Sequence, residues 1–233
     1  MNDELNPYEP ELGTFDTQAM GQESPHGANE DVTAKTGTTT VGIATEDGVV
    51  VGTDRRASLG GRFVANKNVV KVEQIHPSAV LTLVGSVGGA QSFIRPLRAE
   101  ANLYERRRGN EMSMHALATL AGNFARGGPF IAINPILGGV DDDGSHVYSI
   151  DPAGGVMKDD YTVTGSGMQL AHGALEGEYD PEMSLEEAET LAARAVNAAT
   201  ERDTGSGNGL VIATVTEDDV EITEYDSVDD VLQ

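Results

Sequence analysis

"KTGTTTVGIATEDGVVVGTDRRAS", residues 35–58, is two β-rich runs split by Glu46-Asp47-Gly48. Valine, isoleucine and threonine suit a pleated, half-buried surface, and Asp-Gly between two such runs signals a hairpin. Strands are therefore predicted over 38–45 (TTTVGIAT) and 48–57 (GVVVGTDRRA). The Gly37-Thr38 junction carries a second possibility. A threonine hydroxyl is a poor nucleophile unless a base lies within hydrogen-bond reach. A chain's own α-amino group, with an unperturbed pKa of about 7.7–8.0, can be that base. It would exist here only if the Gly37–Thr38 bond were cut, because a peptide nitrogen is not basic. From these residues alone a plain first strand is the simpler reading, and both stay open.

The pattern on either side of this stretch differs. Residues 1–37 hold eight acidic residues against one base, Lys35, with no apolar periodicity. Such a segment cannot offset its ordering entropy, so disorder is expected and it reads as a leader or tail. After the hairpin, strands are predicted near 62–72 (RFVANKNVVKV) and at 79–85 (AVLTLVG). Helices are predicted over 88–108, with Ile94, Leu97, Ala101 and Tyr104 on one face, and over 113–127. Pro96 argues that the first of these starts or bends nearby. Strands FIAINPILGGV (130–140) and HVYSIDP (146–152) flank an Asp141-Asp142-Asp143-Gly144 turn, and DDYTVTGSG (159–167) leads into a helix near 167–177. The clearest helix starts at Ser184, a candidate N-cap with Glu187 three residues on. Leu185, Ala188, Leu191, Ala192, Ala195, Val196 and Ala199 form its apolar stripe. GLVIATVT and VEITEY close the chain, with fraying expected after Tyr225. Runs of strands separated by helix pairs predict an α+β fold of antiparallel sheets covered by helices.

The 233 residues include 38 acidic and 15 basic ones, a net charge of -23, of which -16 belongs to residues 38–233. That balance argues against nucleic-acid partners, which need a basic footprint, and against anionic membranes. The four lysines are Lys35, Lys67, Lys71 and Lys158. An acidic, lysine-poor surface suits concentrated salt, where screening removes self-repulsion; an acidic protein of an ordinary cytosol is the alternative. With no cysteine, disulfides, thiolate metal sites and a cysteine nucleophile are excluded. No stretch reaches the ~18 apolar residues of a membrane span, and the N-terminus lacks the basic and apolar regions of a secretory signal, so a cytoplasmic protein is expected.

No HExxH, phosphate-cradling GxxxxGK[ST] or G-x-S-x-G elbow occurs, and His26, His76, His115, His146 and His172 have no ligand spacing. DDDGS at 141–145 lacks the spacing and terminal glutamate of a calcium loop and reads as a solvated turn. TGSGM (164–168) and DTGSGNG (203–209) are glycine-rich and adjoin helix ends, which on its own says little.

Taken together, TGTTTVGI, GTDRRAS, KNVVKV, VGSVGGAQ, YSIDPAGG, TGSG and RDTGSGNG carry more weight than any one of them. In order and approximate spacing they resemble the proteolytically active β subunits of archaeal 20S proteasomes, from Thr38 to about Tyr225, and the acidic surface makes halophilic members the nearest in look. The resemblance implies the N-terminal-nucleophile hydrolase fold, a four-layer αββα sandwich; no cofactor and no metal are expected. It implies a propeptide, 1–37, removed by autocleavage at Gly37–Thr38, and a domain over 38–233. Carried over by motif, the nucleophile falls on Thr38, its acidic partner on Asp54 and its lysine on Lys71. Ser166, Asp203 and Ser206 complete the set, Gly85 supplies an oxyanion N–H, and Arg56 supports the site. Ala57, Val69, Leu83 and Val87 are implied to line the pocket before the cut bond. Ser58, where threonine is usual, is implied to contact substrate backbone. The loop LGGRFVANKN carries one extra residue relative to some members, so Lys71 is placed by its motif. An ammonium near the Thr38 oxygen favours its ionised form, and a lysine's movable pKa is not reproduced by arginine. Implied partners are further β subunits in homo-oligomeric rings (heptamers, two stacked), α-subunit rings, a regulatory ATPase unfoldase and unfolded polypeptides. An apolar pocket implies broad cleavage after hydrophobic residues, since single methylenes discriminate by only about 1–3 kcal/mol. Three other readings compete. The subunit of the two-ring bacterial ATP-dependent protease begins nearly at its threonine and lacks a long leader. A non-catalytic ring subunit typically loses the nucleophile or lysine. A ringless amide hydrolase would run as a monomer of about 25 kDa.

Overall fold

The structure is a computed structural model that describes residues 37–59, 61–85, 87–127 and 133–232, with only the backbone of Val87. The expectation of a disordered leader over 1–37 thus falls, except for Gly37, outside the described residues.

The opening hairpin is β1 (Thr39–Ala44) and β2 (Val49–Asp54), closed by the Thr45 N–H donating to Gly48 O at 2.8 Å. With β10 (Tyr161–Gly165), β11 (Leu210–Val215) and β12 (Val220–Tyr225) it forms one antiparallel sheet, ordered β10-β1-β2-β11-β12. A second antiparallel sheet runs β5 (Val72–His76), β6 (Ala79–Thr82), β7 (Ile136–Asp141), β8 (Gly144–Ile150), β9 (Val156–Asp159). A short hairpin, β3 (Ala57–Leu59) with β4 (Phe63–Asn66), stands apart from both.

The valine run of β2 shows why the sheets stack. Val49, Val50 and Val51 are all fully buried, which a strand covered on both faces requires. Because side chains alternate, Val50 points into the helix-side core while Val49 and Val51 point into the layer between the sheets, with Val80, Ile136, Val147 and Val211. Each such side chain contributes roughly 1.5–3 kcal/mol on burial. Gly138 keeps the sheets close: a Cβ there would lie 2.9 Å from both Val49 and Val51.

Helices cover the two outer faces. From α1 (Val87–Arg108) and α2 (Met114–Gly127), Phe93, Ile94, Leu97 and Leu117 pack on Leu81, Leu137 and Ile150 of the second sheet. From α3 (Met168–Leu175) and α4 (Leu185–Thr200), Ala171, Leu175, Leu191 and Val196 pack on Val41, Ile43 and Val50 of the first. The fold is therefore the α+β, four-layer αββα sandwich that the resemblance implies. The predicted capping box is present: Ser184 Oγ accepts from Glu187 N at 3.2 Å, and Glu187 Oε2 accepts from Ser184 N at 2.9 Å.

Register sets the position of the site. Thr39 lies opposite Gly165, Thr40 opposite Thr53, and Leu210 opposite Asp54. The start of β1, the end of β2, the end of β10 and the start of β11 thus meet at one end of the first sheet.

Four local expectations are corrected. The segment 62–72 is not one strand: β4 ends at Asn66 and β5 begins at Val72. The run 48–57 breaks at Arg55-Arg56, and Ala57 opens β3. α1 begins nine residues before Pro96 and continues through it. The chain does not fray after Tyr225: Val228–Asp230 form a 3₁₀ turn, and Val228 and Val231 pack against the α3–α4 core.

Candidate active site

Asp54 ends β2 fully buried, so its charge must be met by donors. Oδ1 accepts from Lys71 Nζ at 2.7 Å, Thr38 Oγ1 at 2.9 Å and Thr39 N at 3.0 Å. Oδ2 accepts from Gly207 N at 2.9 Å and Arg56 N at 3.0 Å. Lys71 is also buried, and its Nζ donates to Thr38 Oγ1 at 2.8 Å. It precedes β5, and its carbonyl accepts from Leu83 N at 2.6 Å, which ties it to the end of β6. Burial pulls the Lys71 ammonium below the ordinary lysine value, against the opposing pull of Asp54 and Asp203. The Thr38 hydroxyl therefore sits between a buried carboxylate, to which it donates, and the Lys71 ammonium, from which it accepts.

The other side of Thr38 faces a second carboxylate. Thr38 N donates to Ser166 Oγ at 3.1 Å, and Ser166 Oγ donates to Asp203 Oδ2 at 2.5 Å. Ser206 Oγ donates to the same Asp203 oxygen at 2.6 Å, and Gly205 N donates to Oδ1 at 3.1 Å. The TGSG turn needs glycine at 165: its φ is +100°, and a Cβ would collide with the Thr38 carbonyl. Arg56 fastens the 203–209 loop to the end of β2, donating to Asn208 Oδ1 at 2.8 Å and Thr204 O at 3.0 Å.

Gly37, Thr38, Arg56, Ala57, Val69, Lys71, Leu83 and Gly85 line a small cavity of about 20 Å³ over the threonine. Ser58 Oγ accepts from Gly37 N at 3.1 Å. Thr38, Asp54, Lys71, Ser166, Asp203 and Ser206 thus form one hydrogen-bonded cluster. Arg56, Ala57, Ser58, Val69, Leu83 and Gly85 stand beside it, and the Val87 side chain lies outside the described residues.

The family model for proteasome subunits matches residues 34–215. Proteasome subunit beta of Halomicrobium mukohataei is 72% identical over 97% of this chain and 93% of its own length. That of Natronomonas pharaonis is 68% identical over 98% and 93%, and proteasome subunit beta 2 of Haloarcula marismortui 68% over 94% and 93%. The chain belongs to the proteasome subunit family. Membership places it in a multi-subunit proteasome particle, and these relatives come from halophilic archaea, in keeping with the charge of -23. Among the described residues, no helix is long and apolar enough to cross a membrane.

Thr39 and Gly205 are among the participants in this candidate site that sequence reasoning did not single out. Thr39 donates its N–H to Asp54, and its hydroxyl lies 2.7 Å from Ser206 Oγ, which in turn donates to Asp203. The only signal was a hydroxyl at a strand position where valine would serve equally well. Gly205 packs directly against Gly37, and a Cβ on either residue would run into the other's Cα. Its signal was a glycine between Asp203 and Ser206, read only as part of a motif.

Proposed function

We propose that this chain is the proteolytic β subunit of a 20S proteasome core particle, a threonine endopeptidase whose nucleophile is Thr38, freed by autocatalytic cleavage of the Gly37–Thr38 bond. The observation that carries the reading is the Thr38 hydroxyl, 2.8 Å from Lys71 Nζ and 2.9 Å from Asp54, on a residue whose nitrogen rests on the Ser166–Asp203 pair.

Cleavage begins with Thr38 Oγ1 attacking the Gly37 carbonyl carbon. The nitrogen is then an amide and cannot act as base, so the hydroxyl proton, donated to Asp54 Oδ1, leaves through the Asp54–Lys71 pair. The C–O bond forms, the C–N bond breaks with a proton delivered to nitrogen, and water hydrolyses the resulting ester. Residues 1–37 leave with a Gly37 carboxylate, and Thr38 gains an α-amine beside Ser166. In peptide hydrolysis that amine serves as base, and the Gly85 N–H meets the developing oxyanion. Ala57, Val69 and Leu83 make the pocket apolar, which favours broad cleavage after hydrophobic residues. The assembly consistent with this role is two stacked heptameric β rings between α-subunit rings, fed with unfolded polypeptide by an ATPase.

Gly37→Val tests the cleavage step. The new side chain meets Gly205 Cα and lies near the Ser58 and Ser166 hydroxyls. Overpacking of this kind costs about 1–3 kcal/mol, so processing is expected to slow by about ten- to a hundredfold. Mass spectrometry of the expressed chain reads the outcome; processing at the wild-type rate would remove the support for cleavage from this geometry.

The net charge of -16 on residues 38–233 adds a salt dependence. Between 1 M and 0.01 M salt the Debye length grows from about 3 Å to about 30 Å, so packed subunits repel. Particles are expected to persist in molar salt and dissociate in dilute buffer, as read by sedimentation. A large particle that stays intact for days at low salt would contradict this.

A further inference from the structure

Thr39 is fully buried at the start of β1, and its hydroxyl meets Ser206, also fully buried. Hydrogen-bond direction follows from the acceptors. The single hydroxyl hydrogen of Ser206 is committed to Asp203 Oδ2, at 2.6 Å, so in the 2.7 Å contact between the two hydroxyls Thr39 is the donor. The order is therefore Thr39 O–H to Ser206 O–H to the Asp203 carboxylate. The same Asp203 oxygen receives Ser166, which holds the Thr38 nitrogen.

We infer that the Thr39 hydroxyl is a positioning group for the nucleophile, fixing through Ser206 the charge and orientation of the Asp203–Ser166 pair that carries the Thr38 nitrogen. The inference rests on Thr38 being the N-terminal nucleophile. A hydrogen bond donated to Ser206 polarises it, so Ser206 donates more strongly to Asp203 and spreads the carboxylate charge. Without it the charge on Asp203 is more concentrated and holds a proton on the Thr38 amine more tightly. The other charged groups around that amine are Lys71 and Arg56, which lower its proton affinity, and Asp54, which raises it. All three keep their contacts when the Thr39 side chain changes, and the Thr39 N–H to Asp54 is backbone.

The test uses processed, assembled particles carrying Thr39→Val or Thr39→Ser, with kcat and KM measured for a fluorogenic peptide across pH. Valine keeps the shape and removes the donor. Its acid limb in kcat/KM is expected to move to higher pH by about 0.3 unit, the size of one cooperative step in a charge-assisted bond. KM should stay unchanged, and serine should return the limb to its wild-type position. If Thr39→Val particles are not recovered, Thr39→Cys, a weak donor of similar size, is expected to give a smaller shift in the same direction. A limb that superimposes on wild type in the valine variant, or in the cysteine variant where that replaces it, overturns the inference whatever the rate. The failure of the underlying reading looks different: wild-type particles that are active with Thr38 still in peptide linkage.

Discussion

Thr38→Ala is expected to leave residues 1–37 attached and to abolish peptide hydrolysis. The same hydroxyl is asked to cut its own chain and then the substrate, so both activities fall together. The expected loss is about 10⁴-fold or more, the scale seen when a nucleophile that works as part of a unit is removed. The substitution is structurally mild. Asp54 keeps Lys71, Thr39 N, Arg56 N and Gly207 N as donors, and the core around the hairpin is untouched. Particles should therefore still assemble, which separates lost chemistry from lost structure. Intact mass together with a fluorogenic peptide assay reads both effects; hydrolysis by Thr38→Ala particles at even a tenth of the wild-type rate would rule Thr38 out as nucleophile.

The second large effect is at Lys71. Lys71→Arg keeps the positive charge beside Asp54 but cannot give up a proton, and its planar fork does not fit the point at which Nζ meets both Thr38 Oγ1 and Asp54 Oδ1. Turnover is expected to fall by about 10³-fold, the middle of the range for loss of a positioned acid–base group. Lys71→Ala should match it in activity and also destabilise the fold by about 3–5 kcal/mol, because a fully buried carboxylate loses its counter-charge. Arginine is thus the cleaner variant, with sedimentation to confirm assembly. Near-normal turnover in Lys71→Arg would show that proton exchange at this position is not needed.

What could be read before the structure was known follows from the range of each signal. The β1–β2 hairpin and α4 rest on local chemistry, Asp47-Gly48 in one and the Ser184–Glu187 box in the other, and both are present. The site residues came from motifs, and the register of four strand ends explains why residues as distant as Thr38 and Ser166 meet. The misses lie where the signal is long-range or absent. β9 has one partly buried residue, Val156, and three exposed ones, so no alternation marks it. β4 is largely exposed in a two-stranded hairpin, and its apolar letters made 62–72 look like one strand. The tail after Tyr225 is held by Val228 and Val231 on the α3–α4 core and by Arg55, whose guanidinium pairs with Glu224 at 2.6 Å and Asp226 at 3.1 Å. Those partners lie about 170 residues apart and nothing local announces them. The Thr39–Ser206 bond is hidden for the same reason, in a threonine run that strand propensity alone accounts for.

The proposed mechanism turns on the state of the Thr38 nitrogen in working particles. The deciding measurement is the intact mass of this chain taken from particles that hydrolyse peptide, with the N-terminus sequenced on the same sample. The expected chain begins at Thr38 and is lighter than the full 24.5 kDa by residues 1–37. Fully active particles whose chains still begin at Met1 or Asn2 would contradict it, because no amine would then exist beside Ser166 and Asp203.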